Sequence, residues 1–215
     1  RALGPHIELR GQYGGMPQPF YKPSSDEIAE PANPLKPYFS IATRISLPMQ
    51  LSSGHHLRYL TPAIDWQYEN SLLYDPANED YSRGINRLTS SITFGDNVRS
   101  AYRNMRPRWG YTLRVNHTFN PTNSYFAHSI ALFGQALTPA IGRNHSLRLR
   151  AAFQANQKGK MFTFSQRDLY PRGADYTLEV SPSRYVATAV DYQLPLCYPD
   201  FGIPSVIFFK RIALN

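Results

Sequence analysis

The sequence predicts an all-β protein, an antiparallel transmembrane β-barrel, and three observations carry that expectation. Tyr 15, Phe 12 and Trp 2 make the chain aromatic-rich, while 18 Pro and 13 Gly interrupt any long helical pattern. Apolar residues recur with a period of two in one segment after another, against a second face of Arg, Ser, Thr and Gln. A sheet with arginines on one face and an apolar surface along the whole of the other is unusual for a soluble sandwich and expected of a membrane barrel. The mean hydropathy of -0.43 does not oppose this. No apolar run approaches the roughly 20 residues of a membrane helix, but barrel strands need only about 9 to 11, half of them facing a polar lumen.

The 215 residues are read as a single domain spanning 1–215. Lys+Arg 23 against Asp+Glu 15 gives a net charge of +8. The basic residues are scattered over strand faces and turns without a cluster or a recognition helix, so no nucleic acid is expected as a partner. Anionic lipid headgroups, lipopolysaccharide included, and sugars at an outer surface fit the charge. The lone Cys197 can form no internal disulfide and has no metal-ligand spacing.

From Leu3 to Tyr13, Ile7 and Leu9 alternate with His6, Glu8 and Arg10, giving a first strand. Gly14 to Pro37 is a Pro-rich loop with Asp26, Glu27 and Glu30. Phe39, Ile41, Thr43, Ile45 and Leu47 mark a second strand, which turns at Leu51 to Gly54. A third runs from about Leu57 to Tyr68, with Pro62 marking an irregular position. Asn70 to Gly84 is polar and reads as another long loop. Leu88, Ser90, Ile92 and Phe94 form one face of the next strand, ended by Gly95-Asp-Asn97.

After a basic connector, Arg99 to Arg108, comes the cleanest alternation: Trp109, Tyr111, Leu113, Val115, His117 and Phe119 against Arg108 to Thr118. Aromatics at both ends of an apolar face form the girdle of a bilayer-crossing strand, so Trp109, Tyr111 and Phe119 are predicted to face lipid. Asn120 to Asn123 is a short turn before a strand over Tyr125 to Leu137, and Thr138 to Arg143 turns the chain again. In the following strand Leu147, Leu149, Ala151 and Phe153 alternate with Arg148, Arg150, Ala152 and Gln154. A long polar span holding Tyr170-Pro-Arg-Gly173 leads to a strand from Tyr185 to Pro195. Tyr198 to Pro204 turns into a last strand over Ser205 to Leu214.

The result is about nine strands joined by alternately long and short connections, as in barrels with long outer loops and short inner turns. The loops at Gly14 to Pro37, Asn70 to Gly84, Asn120 to Asn123 and around Arg172 then share the outer side. Single-chain bacterial barrels normally close with an even strand number, so the odd count predicts strands missing from one or both ends.

Two further segments carry a resemblance. Tyr170-Pro-Arg-Gly-Ala-Asp-Tyr176 and Val190-Asp-Tyr-Gln-Leu-Pro-Leu196 resemble the Omp85 and bacterial surface-antigen family of outer-membrane barrels. In that family a long loop with an Arg-Gly-aromatic core folds back into the lumen. Arg172 and Gly173 match; Ala174 stands where the aromatic is expected, with Tyr176 nearby. Met105-Arg-Pro-Arg-Trp-Gly110 and Tyr198-Pro-Asp-Phe-Gly202 with Lys210-Arg211 look like C-terminal barrels of large Bacteroidota-type outer-membrane proteins. The resemblance covers roughly Met105 to Asn215. It implies a lumen loop at Tyr170, Pro171, Arg172 and Gly173, with Arg172 inside the barrel paired to a carboxylate. Asp191, on the face of Ala187, Ala189 and Gln193, is the candidate acid partner, because a confined guanidinium calls for a bidentate acid. The alternative is that Arg172 is a solvated turn residue.

The sequence displays no catalytic or metal motif: no Gly-x-Ser-x-Gly, no phosphate loop and no His-Glu-x-x-His. His55 and His56 are adjacent and so point to opposite faces of a strand, His117 lies on the apolar, aromatic face of its strand as an interfacial side chain, and His6, His128 and His145 lack spaced acidic or cysteine partners. Neither enzymatic activity nor a cofactor or metal is expected. The expectation is a protein of the bacterial outer membrane: an Omp85-like assembly or translocation barrel, or a barrel subunit of a larger complex with other outer-membrane or periplasmic subunits. The alternatives are a passive or substrate-specific pore, a barrel hydrolase with residues gathered from separate strands, and a soluble all-β binding module.

Overall fold

The computed structural model describes residues 4–15, 19–21, 37–75, 80–99, 107–141, 145–164, 183–197, 201–203, 207–209 and 212–214. In chain order the strands are β1 (His6–Tyr13), β2 (Pro19–Tyr21), β3 (Phe39–Ser46), β4 (Met49–Gln50), β5 (His56–Asp75), β6 (Asp80–Val98) and β7 (Gly110–Phe119). They continue as β8 (Ser129–Pro139), β9 (Ser146–Asn156), β10 (Arg184–Cys197), β11 (Phe201–Ile203), β12 (Ile207–Phe209) and β13 (Ile212–Leu214). Nine of them follow one another in a single antiparallel sheet, β1-β3-β5-β6-β7-β8-β9-β10-β13, and no helix occurs among the described residues. Among those residues the edge strands β1 and β13 do not pair with each other, so the sheet is open.

Every connection along this path reverses direction, so the linkers after β1, β5, β7 and β9 all lie at one end of the sheet, here the loop end. Those after β3, β6, β8 and β10 lie at the other, the turn end. The side-sharing inferred from loop lengths is thus the topology of the sheet.

β3 and β4 are one strand broken at Leu47-Pro48: Ser46 pairs with Ala63 and Met49 with Leu60 in unchanged register. The Leu47 amide donates to the Pro62 carbonyl at 3.0 Å, so the edge of Pro62 that lacks an N–H faces the break. The irregular position predicted at Pro62 is this site.

Three expectations need correction. Asn70 to Gly84 is not a loop: β5 and β6 run as a hairpin to Asp75 and Asp80, with a register shift between Glu69 and Leu72. Gly84 (φ 97°) supplies the left-handed conformation opposite this bulge. Asn70 secures it by accepting from the Phe39 amide at 2.8 Å and donating to the Pro37 carbonyl at 2.9 Å. Polar composition here did not mean loss of pairing, and Asn70 and Ser71 are buried. Second, Gly95 does not end its strand, since β6 continues to Val98. Third, Ser205 to Leu214 is not one strand: β12 pairs with β11 and β13 with β10. The loop from Gly14 to Pro37 also holds β2, which pairs with β5 in parallel.

Register fixes the two faces. Ile7, Ile45, Ile64, Ser90, His117 and Ile130 form one transverse row, and Arg44, Asp65, Thr89, Thr118, Ser129 and Asn156 form a row on the opposite face. The apolar face is uncovered: Ile45, Ile64, Ile92, Leu113 and Ile130 are each about half exposed, and Val186 and Val190 are 69% and 67% exposed. Soluble monomers rarely show contiguous apolar patches beyond a few hundred Å². The buried cluster, Leu73, Ile85, Phe126, Phe162 and Phe164 with Tyr125 against it, sits instead at the loop end, where Ile85 shares the parity of Arg87 and Thr89 on the polar face.

Candidate functional site

The polar face carries a cavity of about 380 Å³ whose lining includes Arg10, Arg44, Arg87 and Arg114, the carboxylate of Asp65, and Thr89 and Thr118. Strand register places these groups. Arg10 lies opposite Ala42, whose small side chain lets the guanidinium cross β3 and meet Asp65 on β5 at 3.1 Å. Arg10 also meets Glu8 at 3.2 Å. Arg87 donates to the Gln67 amide oxygen. The Thr89 and Thr118 hydroxyls, paired across β6 and β7, hydrogen-bond at 3.0 Å, and Thr118 is fully buried. Arg114 lies with its guanidinium carbon 5.2 Å from the centroid of the Phe133 ring, a cation–π arrangement.

One end of this cavity is formed by Phe164, the last described residue of a segment that leaves β9 and folds onto the polar face. The Gln157 amide donates to the His128 carbonyl at 2.9 Å, Ala127 to Phe162 at 2.8 Å, and Phe162 to Tyr125 at 3.1 Å. Phe164 stacks on Phe126 at 4.7 Å. Buried Gln154 ties the segment to the sheet by donating to the Ser129 hydroxyl at 2.9 Å and to the Phe164 carbonyl at 3.1 Å. The start of the long β9–β10 connection therefore covers the loop end of the polar face.

Asp191 faces the same way. Its carboxylate accepts from Arg148 Nε at 2.7 Å and from an Arg150 guanidinium nitrogen at 3.2 Å, the first directly across the β9–β10 pair and the second diagonal to it. The sequence-predicted loop residues Tyr170, Pro171, Arg172 and Gly173 lie outside the described residues. Among the girdle residues, Trp109 and Tyr111 are 58% and 49% exposed on the apolar face at the turn end. Phe119 lies on that face at the loop end, stacked 5.3 Å from His117 and 5.1 Å from His128.

Sequence reasoning missed three cross-strand arrangements. His117 Nε2 and His128 Nδ1 stand 3.2 Å apart, facing each other across the β7–β8 turn. Asp96, 8% exposed on the apolar face near its turn end, is held by Arg58 Nε at 2.8 Å and His56 Nδ1 at 2.7 Å. The Tyr59 ring lies over Gly95 on the polar face, where any Cβ would overlap it. None has a signal within its own strand, since each depends on register. No group of three or more His, Cys, Asp or Glu able to hold a metal occurs among the described residues. In comparisons with protein-family models, curated proteins and solved structures, nothing matches the chain.

Proposed function

We propose that this chain is the wall of an outer-membrane β-barrel, with the apolar face toward lipid and the polar face toward a lumen, serving as an Omp85-like assembly or translocation barrel or as a barrel subunit of a larger surface complex. The observation that supports it is the pairing of a continuous exposed apolar face with a hydrogen-bonded, arginine-bearing face on the same strands. In lipid every backbone group must be satisfied internally, and a sheet meets that condition only by closing, so on this reading the outer edges of β1 and β13 are paired. The Gln157–Phe164 segment on the polar face favours an occupied lumen over an open one. A substrate-specific pore is the second reading, favoured by the polar cavity of about 380 Å³ beside that segment. A planar-bilayer recording separates the two, because an occupied barrel conducts weakly until the segment is displaced.

The membrane reading is tested by two neighbouring substitutions. Ile92 and Ser91 are adjacent on β6 and point to opposite faces, Ile92 54% exposed. Ile92→Arg puts a guanidinium on the lipid side at a cost of roughly 2–4 kcal/mol near the bilayer midplane. Ser91→Arg puts the same group in the polar cavity and leaves insertion unchanged. Refolding into lipid vesicles, scored by protease protection, reads both. Equal insertion of the two variants sinks the reading, since a water-exposed Ile92 tolerates arginine freely.

A further inference from the structure

We infer that the polar-face cavity is an oxyanion site, one that takes a multiply charged, water-borne phosphoryl group. Among the described residues, four guanidinium groups line it, from β1, β3, β6 and β7, against the carboxylate of Asp65. That carboxylate is engaged by Arg10, which also holds Glu8, so the acid available at the cavity is committed at its β1 edge. Arg87 is braced by the neutral Gln67 amide, which orients the fork without offsetting its charge. Arg44 makes no hydrogen bond or ion pair among the described residues and faces the same space. Cations converging on one cavity repel each other and concentrate anions there. A guanidinium matches the spacing of phosphoryl oxygens bidentately, and the partly exposed Thr89 hydroxyl adds a neutral donor. Arg44 and Arg87, which no carboxylate among the described residues engages, together favour a polyvalent oxyanion over a single carboxylate. The cavity lies on the face away from the apolar band, so a lipid headgroup anchored in that band does not reach it. A soluble phosphate ester or diphosphate does.

This inference rests on the barrel reading only for the route of access, through a lumen; the site itself belongs to the sheet. The probe is inorganic pyrophosphate, titrated calorimetrically into the full chain in detergent micelles at low salt. Saturable binding is expected, weakened roughly ten-fold or more by Arg44→Gln and by Arg87→Gln, each removing a charge-assisted hydrogen bond. Lys158→Gln, an exposed charge in the β9–β10 connection, leaves it unchanged. Asp65→Asn tightens it by removing the one competing carboxylate. Absence of saturable binding overturns the inference. So does equal weakening by Lys158→Gln, which marks a general charge effect, or wild-type binding by both arginine variants. Should the arginine variants fail to refold, thermal melting of the wild type decides: pyrophosphate raises the midpoint and chloride at equal ionic strength does not, and identical midpoints overturn the site. Vesicle insertion measured on the same samples reports the barrel reading separately, so inserted protein that ignores pyrophosphate sinks the site alone.

Discussion

Gly95→Ala gives a test in which two physical effects predict opposite signs. Gly95 sits inside β6 with no positive φ, so its backbone accepts any residue. Conformational entropy alone then says that alanine stabilises the strand by about 0.5–1 kcal/mol. Packing says the reverse. Tyr59, paired opposite Gly95, lays its ring where the new Cβ must go, and its hydroxyl lies 3.4 Å from the Thr112 hydroxyl on the strand beyond. Overpacking of this kind costs about 1–3 kcal/mol, and loss of the hydroxyl contact adds about 0.5–1.5 kcal/mol. The net expectation is destabilisation by about 1–3 kcal/mol, the overlap outweighing the entropy gain. Equilibrium urea unfolding in micelles, followed by the fluorescence of Trp66 and Trp109, measures it. The decisive experiment is the double-mutant cycle with Tyr59→Ala: without the ring, Gly95→Ala should become mildly stabilising. Stabilisation in the wild-type background, or the same cost in both backgrounds, refutes the packing argument.

The remaining predictions use the same assay. Asp191→Asn removes the carboxylate from two arginines; with Asp191 17% and the arginine side chains 25% exposed, the expected loss is about 2 kcal/mol, less than for a fully buried pair. A loss below about 0.5 kcal/mol shows that solvent screens the cluster. If Arg172 also reaches Asp191, its candidate acid partner, Arg172→Ala destabilises the wild type and adds nothing to Asp191→Asn; full additivity returns Arg172 to a solvated turn. Asn120→Ala removes the acceptor of the Thr122 amide and hydroxyl at 2.9 Å each and of the Asn123 amide at 3.1 Å. It should cost about 1–2 kcal/mol, and a neutral result means that water replaces the side chain.

The strands were legible because a period of two is written within each strand. Trp109 to Phe119 announces its own two faces with no knowledge of its neighbours. What lay between strands was not legible. Arg148 and Asp191 are 43 residues apart and meet only because β9 and β10 pair in one register, across a connection whose length hides that register. Arg10 and Asp65 are 55 apart and meet over Ala42. The His117–His128 pair comes closest to being readable, 11 residues apart across one turn, but the sequence pattern extends back to Tyr125 a strand that begins only at Ser129. At Gly95 a glycine in a strand pattern has two meanings, an end or a close approach, and the ring that distinguishes them lies on β5.

The apolar band contains one further constraint, visible only when its edge is followed from strand to strand. At the loop end, short of the register shift between Glu69 and Leu72, the last large apolar side chain of this face is Tyr13 on β1 and Phe39 on β3, then Tyr68, Leu88, Phe119, Ile130, Phe153 and Val186 on β5 to β10. Carried along the pairing onto β5, Tyr13 and Phe39 fall at Asn70, whereas Val186 passes through Phe153, Leu132, Val115 and Ile92 to Pro62. The edge therefore drifts by eight residues, from 70 to 62, across the seven steps from β1 to β10. At about 3.3 Å per residue and about 4.8 Å between strands, that drift corresponds to strands inclined by about 38° to the normal of the band. Membrane barrels tilt by about 35–45°. At that tilt the ten steps from Trp109 to Phe119 project to about 26 Å, against about 25 Å for the apolar belt of an outer-membrane barrel. A tilt of this size is what closing a sheet into a barrel requires, in keeping with the barrel proposed above.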